Sequence, residues 1–244
     1  MNWKDIKVSA DNTQFLLNEE PIFYKKFIEV LKFHDPGLAP VLDENGAYHI
    51  DSKGIPLYAE RYQRTFGFYC NRAVVIKNNT WFHITESGKR AYNESYAWTG
   101  NYQENRCTVR DFENHYFHID LEGNRVYSEN NLYAGDFKDG FACVKKTNSF
   151  YIHVDSKGQK LHDKEFLDLG IFHKNFATAK DENGWYHIDN QGNELYSERY
   201  AAIEPFYNGF ALATCFDSSK IIIDENGGKV IVVWISDCEV QYLA

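Results

Sequence analysis

The stretch FATAKDENGWYHIDNQGNELYSERY, residues 176–200, decides the fold prediction. It predicts two short strands, Phe176–Ala179 and Trp185–Asp189, joined by a turn whose Asn-Gly pair is typical of a β-hairpin. Neighbouring side chains of a strand point to opposite faces, so the second strand places its Trp and His on one face and its Tyr and Ile on the other. A second turn at Asn190–Asn193 precedes a further predicted strand, Glu194–Tyr196. The stretch therefore predicts antiparallel sheet and no helix.

The centre of this stretch recurs along the whole chain at intervals of 34 or 35 residues. Its copies are YHID at 48–51, FHIT at 82–85, FHID at 117–120, IHVD at 152–155, YHID at 186–189 and the decayed IIID at 221–224. A glycine follows each copy, at Gly54, Gly88, Gly123, Gly158, Gly192 and Gly227. Self-similarity at a fixed period of this length indicates a tandem-repeat protein.

Two further landmarks keep the same register. Three aromatic positions follow the glycine, and the second and third lie 4 and 10 residues after the first, as in Tyr58, Tyr62 and Phe68. The matching sets are Tyr92, Tyr96 and Tyr102; Tyr127 and Phe137 with Asn131 between them; His162, Phe166 and Phe172; Tyr196, Tyr200 and Phe206; and, near the N-terminus, Phe23, Phe27 and Phe33. A small residue opens each unit, namely Ala39, Ala73, Cys107, Ala142, Ala177 and Ala211.

The pattern predicts one all-β repeat domain over residues 1–244. It has a degenerate N-terminal unit at 1–34, five clear units at 35–206 and a degenerate C-terminal unit at 207–244. A short segment around Tyr200–Phe206 leads from one unit into the next. Six or seven units of this size suit a small-bladed β-propeller-like ring. The alternative is an open β-solenoid or superhelix of hairpins, whose capping repeats are also degenerate.

The unit resembles the WG repeat, or KWG-type repeat, of bacterial proteins, in which G-x-A-x-V precedes W-G-Y-I-D-x-x-G. The matching residues are GFACV at 140–144 and WYHID at 185–189, followed by Gly192. The resemblance covers roughly residues 35–230. It departs from the family in one way, because an aromatic residue replaces the Gly of Trp-Gly and a His precedes the Ile. The resemblance implies a bacterial binding module and carries over no catalytic residue.

Composition and charge exclude several classes of function. Hydrophobic residues make up 43% of the 244 residues and aromatic residues 16%, which suits a globular β protein. The net charge of −9 argues against nucleic acid as a partner. The sequence has no apolar run of about 18 residues, so no membrane span is expected, and its N-terminus shows no secretory signal. Five scattered cysteines favour reduced thiols and a cytoplasmic location.

The in-register histidines are the candidate binding residues: His49, His83, His118, His153 and His187. Equivalent imidazoles in neighbouring units suit a metal or anion site, or a band that titrates near pH 6 to 7. The structural alternative is a ladder in which each ring bonds a carbonyl or carboxylate of the adjacent unit. A repeated glutamate, at Glu60, Glu94, Glu129 and Glu198 but Lys164 in the fourth unit, is a possible partner in that ladder.

No motif of nucleophilic, phosphate-binding or metal-dependent catalysis is present in the sequence, so the chain is predicted not to be an enzyme and to need no cofactor or metal. A protein-interaction scaffold is the leading function, a carbohydrate-binding module the second, and an enzyme with a His or carboxylate pair in a central cavity the third. Residues that break the repeat are where a specific site would lie: Arg64, Trp98, Arg106, Arg110, His115, His162 and His173.

Overall fold

The computed structural model describes residues 2–236 and 239–243, so Cys238 lies outside the described residues. The chain forms two compact units, Met1–Ser128 and Glu129–Ala244, and each is described by itself. The expectation of a single domain over residues 1–244 stays a prediction, as does the choice between a closed ring and an open array.

The described part of the first unit contains one short 3-10 helix and four three-stranded antiparallel sheets. The helix is Trp3–Asp5, and the strands are β1 (Lys7–Val8), β2 (Phe15–Leu17), β3 (Glu20–Pro21), β4 (Glu29–Val30), β5 (Leu38–Asp43), β6 (Gly46–Asp51), β7 (Arg64–Tyr69), β8 (Arg72–Lys77), β9 (Thr80–Ile84), β10 (Trp98–Thr99), β11 (Cys107–Arg110) and β12 (Tyr116–Ile119). Consecutive threes of these strands form sheets 1 to 4.

The second unit contains two more three-stranded sheets and one five-stranded sheet among its described residues. Its strands are β13 (Tyr133–Ala134), β14 (Phe141–Lys145), β15 (Tyr151–Asp155), β16 (Asp168–Leu169), β17 (Ala177–Asp181), β18 (Gly184–Ile188), β19 (Ala202–Ile203), β20 (Phe210–Thr214), β21 (Lys220–Asp224), β22 (Lys229–Ser236) and β23 (Glu239–Leu243). Sheet 5 is β13–β14–β15, sheet 6 is β16–β17–β18, and sheet 7 is β19 to β23 in chain order.

The predicted fold class is confirmed as all-β, built from repeated small antiparallel sheets. Sheets 2 to 7 each begin with a strand that pairs with the first arm of a β-hairpin, and that hairpin carries the repeat motif. The prediction of a strand at Glu194–Tyr196 is wrong. Glu194 makes one isolated bridge to Ile188, after which the chain leaves the sheet and Tyr196 turns into the core. The segment around Tyr200–Phe206 instead supplies β19, the first strand of sheet 7.

The hairpins fall into two length classes. In sheets 2, 3 and 6 the two arms are joined by two residues, which are Glu44-Asn45, Asn78-Asn79 and Glu182-Asn183. Asn78 and Asn79 both have positive φ, 53° and 59°, which is the type I′ geometry that suits the strand twist. In sheets 4, 5 and 7 the loops have five residues, at 111–115, 146–150 and 215–219.

The small residue that opens each unit pairs with the branched residue after the histidine position. The pairs are Ala39 with Ile50, Ala73 with Ile84, Cys107 with Ile119, Ala142 with Val154, Ala177 with Ile188 and Ala211 with Ile223. All twelve side chains are buried. Cys107 therefore takes the alanine position as a small core residue, and its thiol donates to the Gly100 carbonyl at 3.2 Å.

The recurring glycine lies against the tyrosine of the preceding repeat. Gly88 and Gly123 have φ of +74° and +83°, and a Cβ added to either would lie 2.5 Å from the ring of Tyr58 or Tyr92. Both the backbone conformation and the close approach exclude a side chain there. The glycine thus lets two successive repeats pack in direct contact.

Replacing Gly88 with Ala should lower the free energy of unfolding more than replacing Gly209 with Ala. Gly209 has a similar φ of +86°, but a Cβ there would meet only the Glu225 carboxylate at 4.0 Å. Gly209→Ala should therefore show only the backbone cost, about 1–2 kcal/mol, while Gly88→Ala should lose about 1–3 kcal/mol more through overpacking. Denaturant titration of both variants measures the difference, and equal losses would contradict this packing of Gly88.

Candidate functional site: the buried histidines

The five predicted histidines occupy equivalent positions on the last strand of the hairpin in sheets 2 to 6. His49 lies in β6, His83 in β9, His118 in β12, His153 in β15 and His187 in β18. All five are at most 1% exposed. A buried imidazole needs hydrogen-bond partners on both nitrogens, so its surroundings identify its role.

The Nε2 atoms face backbone carbonyl groups 17 residues further along the chain. The distances are 2.7 Å from His49 to Phe66, 3.0 Å from His83 to Gly100, 2.8 Å from His153 to Gly170 and 3.0 Å from His187 to Glu204. A carbonyl oxygen only accepts, so each Nε2 carries the hydrogen, and the Nδ1 of the neutral ring is left as an acceptor. Each of these carbonyls lies in or directly after the first strand of the next sheet.

Four Nδ1 atoms lie within hydrogen-bond distance of tyrosine hydroxyl groups nine residues after the histidine, and those of His49, His83 and His187 accept, because their Nε2 carries the hydrogen. The distances are 2.5 Å from Tyr58 to His49, 2.5 Å from Tyr92 to His83, 2.7 Å from Tyr127 to His118 and 2.5 Å from Tyr196 to His187. We name each histidine together with its tyrosine and its carbonyl a histidine node. Three of these tyrosines, Tyr58, Tyr92 and Tyr196, are also the ones against which repeat glycines pack.

The third aromatic position of each set, 19 residues after the histidine, packs on the histidine ring. Ring-centre distances are 4.6 Å for His49 and Phe68, 4.7 Å for His83 and Tyr102, 4.3 Å for His153 and Phe172, and 3.9 Å for His187 and Phe206. The sequence landmarks thus have a common cause: one aromatic residue donates a hydrogen bond to the histidine, another covers its ring, and the glycine makes room for the donor.

Burial holds the histidines neutral. It lowers the pKa of His49, His153 and His187 to about 4 and that of His83 to about 3. Burial also raises the pKa of the donor tyrosines Tyr58, Tyr92 and Tyr196. Neither partner in these nodes changes charge near neutral pH, so these pairs are not poised for acid–base chemistry.

The predicted glutamate partner of the ladder is wrong where the histidine contacts are given. His49, His83 and His187 bond a tyrosine and a carbonyl, not Glu60, Glu94 or Glu198. The tyrosine at nine residues was visible in the sequence as a landmark. Nothing in the one-dimensional pattern showed that its hydroxyl faces the histidine.

The fourth node departs from the others, because His162 replaces the tyrosine. The ring centres of His153 and His162 lie 6.0 Å apart at an interplanar angle of 87°. Among the described residues, neither the Nδ1 of His153 nor either ring nitrogen of His162 has a hydrogen-bond partner. His162 belonged to the predicted residues that break the repeat, and this is the place where the buried polar groups of the repeat are not satisfied.

A further cluster of ionisable side chains lies in a hairpin loop. Asp111, Glu113 and His115 place one ligand atom each within 4.8 Å of one another in the loop of sheet 4. Asp111 already accepts from the backbone amides of Glu113 and His115 and lies 3.2 Å from the His115 ring, so its carboxylate holds the loop.

Of the described helices, none has the length and apolar character to cross a membrane.

No protein-family model matches the sequence, and no curated protein matches it. Several solved structures resemble the chain. BamB from Moraxella catarrhalis is 12% identical with a TM-score of 0.48, over 99% of this chain and 91% of that chain. The computationally designed Ika8 protein is 14% identical at 0.48, over 97% and 89%. The C-terminal WD40 domain of Sif2 is 10% identical at 0.43, over 86% and 70%. Such identities concern the fold alone.

Removing the hydroxyl of Tyr196 should destabilise the protein, whereas removing that of Tyr200 should not. Tyr196→Phe leaves the buried Nδ1 of His187 without its donor, which should cost about 1–3 kcal/mol. The Tyr200 hydroxyl is buried without a partner among the described residues, so Tyr200→Phe should be neutral or slightly stabilising. Chemical denaturation of both variants tests the node, and equal effects would contradict it.

Stability should fall as the pH drops from 7.5 to 5. A buried histidine with a lowered pKa stabilises the fold fully above its unfolded pKa of about 6.5, and that contribution decreases toward its folded pKa. With folded pKa values of about 3 to 4, each such histidine should lose about 1 kcal/mol between pH 6.5 and 5.5. Denaturation midpoints across this range measure the loss. A constant midpoint would show that these histidines titrate alike in both states.

Proposed function

We propose that the chain is a non-catalytic binding scaffold whose partner is another protein. The proposal is supported by the difference between the repeated positions, which are buried, and the loop positions, which vary and are exposed. Histidines and alanines at repeated positions are buried in the sheets, and Gly88 and Gly123 pack against buried tyrosines, whereas the five-residue hairpin loops carry exposed aromatic side chains. Repeat proteins present variable surfaces of this kind to their partners.

Each five-residue loop carries one exposed phenylalanine. Phe112 is 60% exposed in sheet 4, Phe150 is 38% exposed in sheet 5 and Phe216 is 67% exposed in sheet 7. The two-residue loops of sheets 2, 3 and 6 consist of Glu and Asn only. Aromatic side chains are enriched among the residues that dominate protein interfaces, and burying such a ring against a partner is favourable. The longer loops are therefore the proposed contact points.

Location and family belong to the same proposal. Cys70, Cys143 and Cys215 are free thiols, which supports a reducing compartment such as the cytoplasm. We also propose that the repeat is a variant of the bacterial WG repeat in which the His takes part in a node. Burial of the node histidines in a neutral state supports a role without catalysis.

Carbohydrate binding is the second candidate, and one strand position favours it. Two residues before the histidine, sheets 3 to 6 carry Trp81, Tyr116, Tyr151 and Trp185, all partly exposed. The Lys145 ammonium lies 5.1 Å from the Tyr151 ring centre, and the Lys180 ammonium lies 5.6 Å from the Trp185 ring centre. Partly exposed aromatic rings in register can stack on sugar faces, but these are less accessible than the loop phenylalanines.

The test is retention of a protein from a lysate of the cells that make the chain. The wild type is compared with the triple variant Phe112→Ser, Phe150→Ser and Phe216→Ser, and retained proteins are identified by mass spectrometry. The matched control replaces three exposed apolar residues outside these loops, Ile28, Ile55 and Val230, with Ser. We expect a protein that the wild type and the control retain at moderate salt and that the loop variant retains at least tenfold less.

Equal retention by the loop variant and the control would contradict binding through the loops. If the wild type retains no protein but binds a glycan on an array, and Tyr151→Ala weakens that binding, the second candidate replaces the first. The melting temperatures of the two triple variants should equal that of the wild type, because each side chain replaced in them is exposed.

A further inference from the structure

The replacement of tyrosine by His162 leaves a gap of defined size. In the four regular nodes the ring centres of histidine and tyrosine lie 5.7 to 5.9 Å apart, and in the fourth node those of His153 and His162 lie 6.0 Å apart. His162 thus occupies the place of the tyrosine ring. A phenolic oxygen projects beyond its ring, whereas an imidazole nitrogen is part of its ring. An imidazole edge at this place therefore stops short of where a tyrosine hydroxyl would lie, and no hydrogen bond joins the two rings.

His153 is oriented like a metal ligand. Its Nε2–H donates to the Gly170 carbonyl at 2.8 Å, so the lone pair lies on Nδ1, on the side where the other nodes have their tyrosine. Metal-binding histidines characteristically donate their second N–H to a carbonyl or carboxylate, which fixes the tautomer and the direction of the lone pair. The side chain is 1% exposed, so its Nδ1 cannot obtain an alternative partner from bulk solvent.

We propose that His153 and His162 form a two-nitrogen binding site for a monovalent d¹⁰ cation, with Cu⁺ as the biological ion. Imidazole nitrogens bind such late transition metals at about 2 Å. Two such bonds in line span a gap longer than a hydrogen bond. Among the described residues the pair belongs to no group of three or more metal-ligating side chains. An ion that needs only two ligands, arranged in line, therefore fits the pair better than Zn²⁺, which takes four.

The pair lies just beneath the surface, with opposite charges nearby. The His162 side chain is partly exposed, while its two ring nitrogens are buried. The Lys164 ammonium acts against a cation at His162, and the Asp189 carboxylate acts in its favour. The Lys164 ammonium donates to the Gly192 carbonyl at 2.7 Å and to the Asn193 side chain at 3.2 Å, which fixes its position. The proposal does not depend on the scaffold function.

The test measures how many Cu⁺ ions each protein molecule binds. The titration is done in the absence of oxygen and in competition with a chromogenic Cu⁺ chelator. The wild type is compared with His162→Tyr, which restores the regular node, and with His162→Phe, which offers neither a ligand nor a donor. All three proteins contain the same five cysteines, so copper bound by thiols cancels in the comparison. We expect the wild type to bind one equivalent more than either variant, and X-ray absorption of that equivalent to show nitrogen ligands.

Melting curves provide an independent readout. Without copper, His162→Tyr should melt above the wild type because its hydroxyl reaches the Nδ1 of His153. One equivalent of Cu⁺ beyond that bound by thiols should raise the melting temperature of the wild type and not that of either variant. Equal stoichiometry in the three proteins, or an equal copper-dependent shift, would overturn the proposal. His162→Phe decides the stoichiometry if His162→Tyr folds poorly.

Discussion

The structure depends on a buried imidazole whose two nitrogens are both satisfied. Its Nε2–H donates to a carbonyl in the first strand of the next sheet or directly after it, and its Nδ1 accepts from a tyrosine nine residues away. Both bonds lie in a low-dielectric interior, where an unsatisfied partner carries a large penalty. A node therefore links consecutive sheets in a specific register. The other repeated residues support it: an aromatic ring covers the imidazole, and a glycine allows the tyrosine to pack closely.

Much of this architecture could be predicted from the sequence, because its determinants are local and repeat. The intervals of 34 and 35 residues, the Asn-Gly turn at 183–184 and the alternation in Trp185–Asp189 predicted the hairpin that the structure has. The strand at Glu194–Tyr196 was wrong because Tyr196 is placed by its bond to His187, a contact that strand periodicity does not encode. The sequence also did not predict which sheet each two-residue strand joins, since this is decided by pairing between residues of different repeats.

The candidate site shows the same division. The five histidines were identified from the sequence, and their burial follows from the apolar residues on either side. The identity of their partners did not follow, and a glutamate was the wrong choice, because a carboxylate would be costly to bury beside a neutral imidazole. A tyrosine hydroxyl donates without charge. His162 was recognised only as one of several residues that break the repeat, and its significance required the contact with His153.

The histidines and tyrosines that recur in the repeat bond one another inside the fold. Function is therefore expected at the positions that differ between repeats. Two kinds of variation are present in this chain. Three hairpin loops are long and carry an exposed phenylalanine while three are short and polar, and one node has an imidazole where the others have a phenol. The first favours a broad binding surface. The second creates a pair of nitrogen ligands within the fold, so the scaffold and the ion site occupy different parts of the repeat.

The tautomeric state of the buried histidines tests the account most directly. Long-range proton–nitrogen correlation spectra of the ¹⁵N-labelled protein distinguish Nε2–H from Nδ1–H and a neutral ring from a charged one. We predict that His49, His83, His153 and His187 are neutral with the hydrogen on Nε2, and that their signals are unchanged between pH 7.5 and pH 5.5. Signals of the Nδ1–H tautomer, or titration of these rings near pH 6.5, would contradict the nodes on which the fold depends.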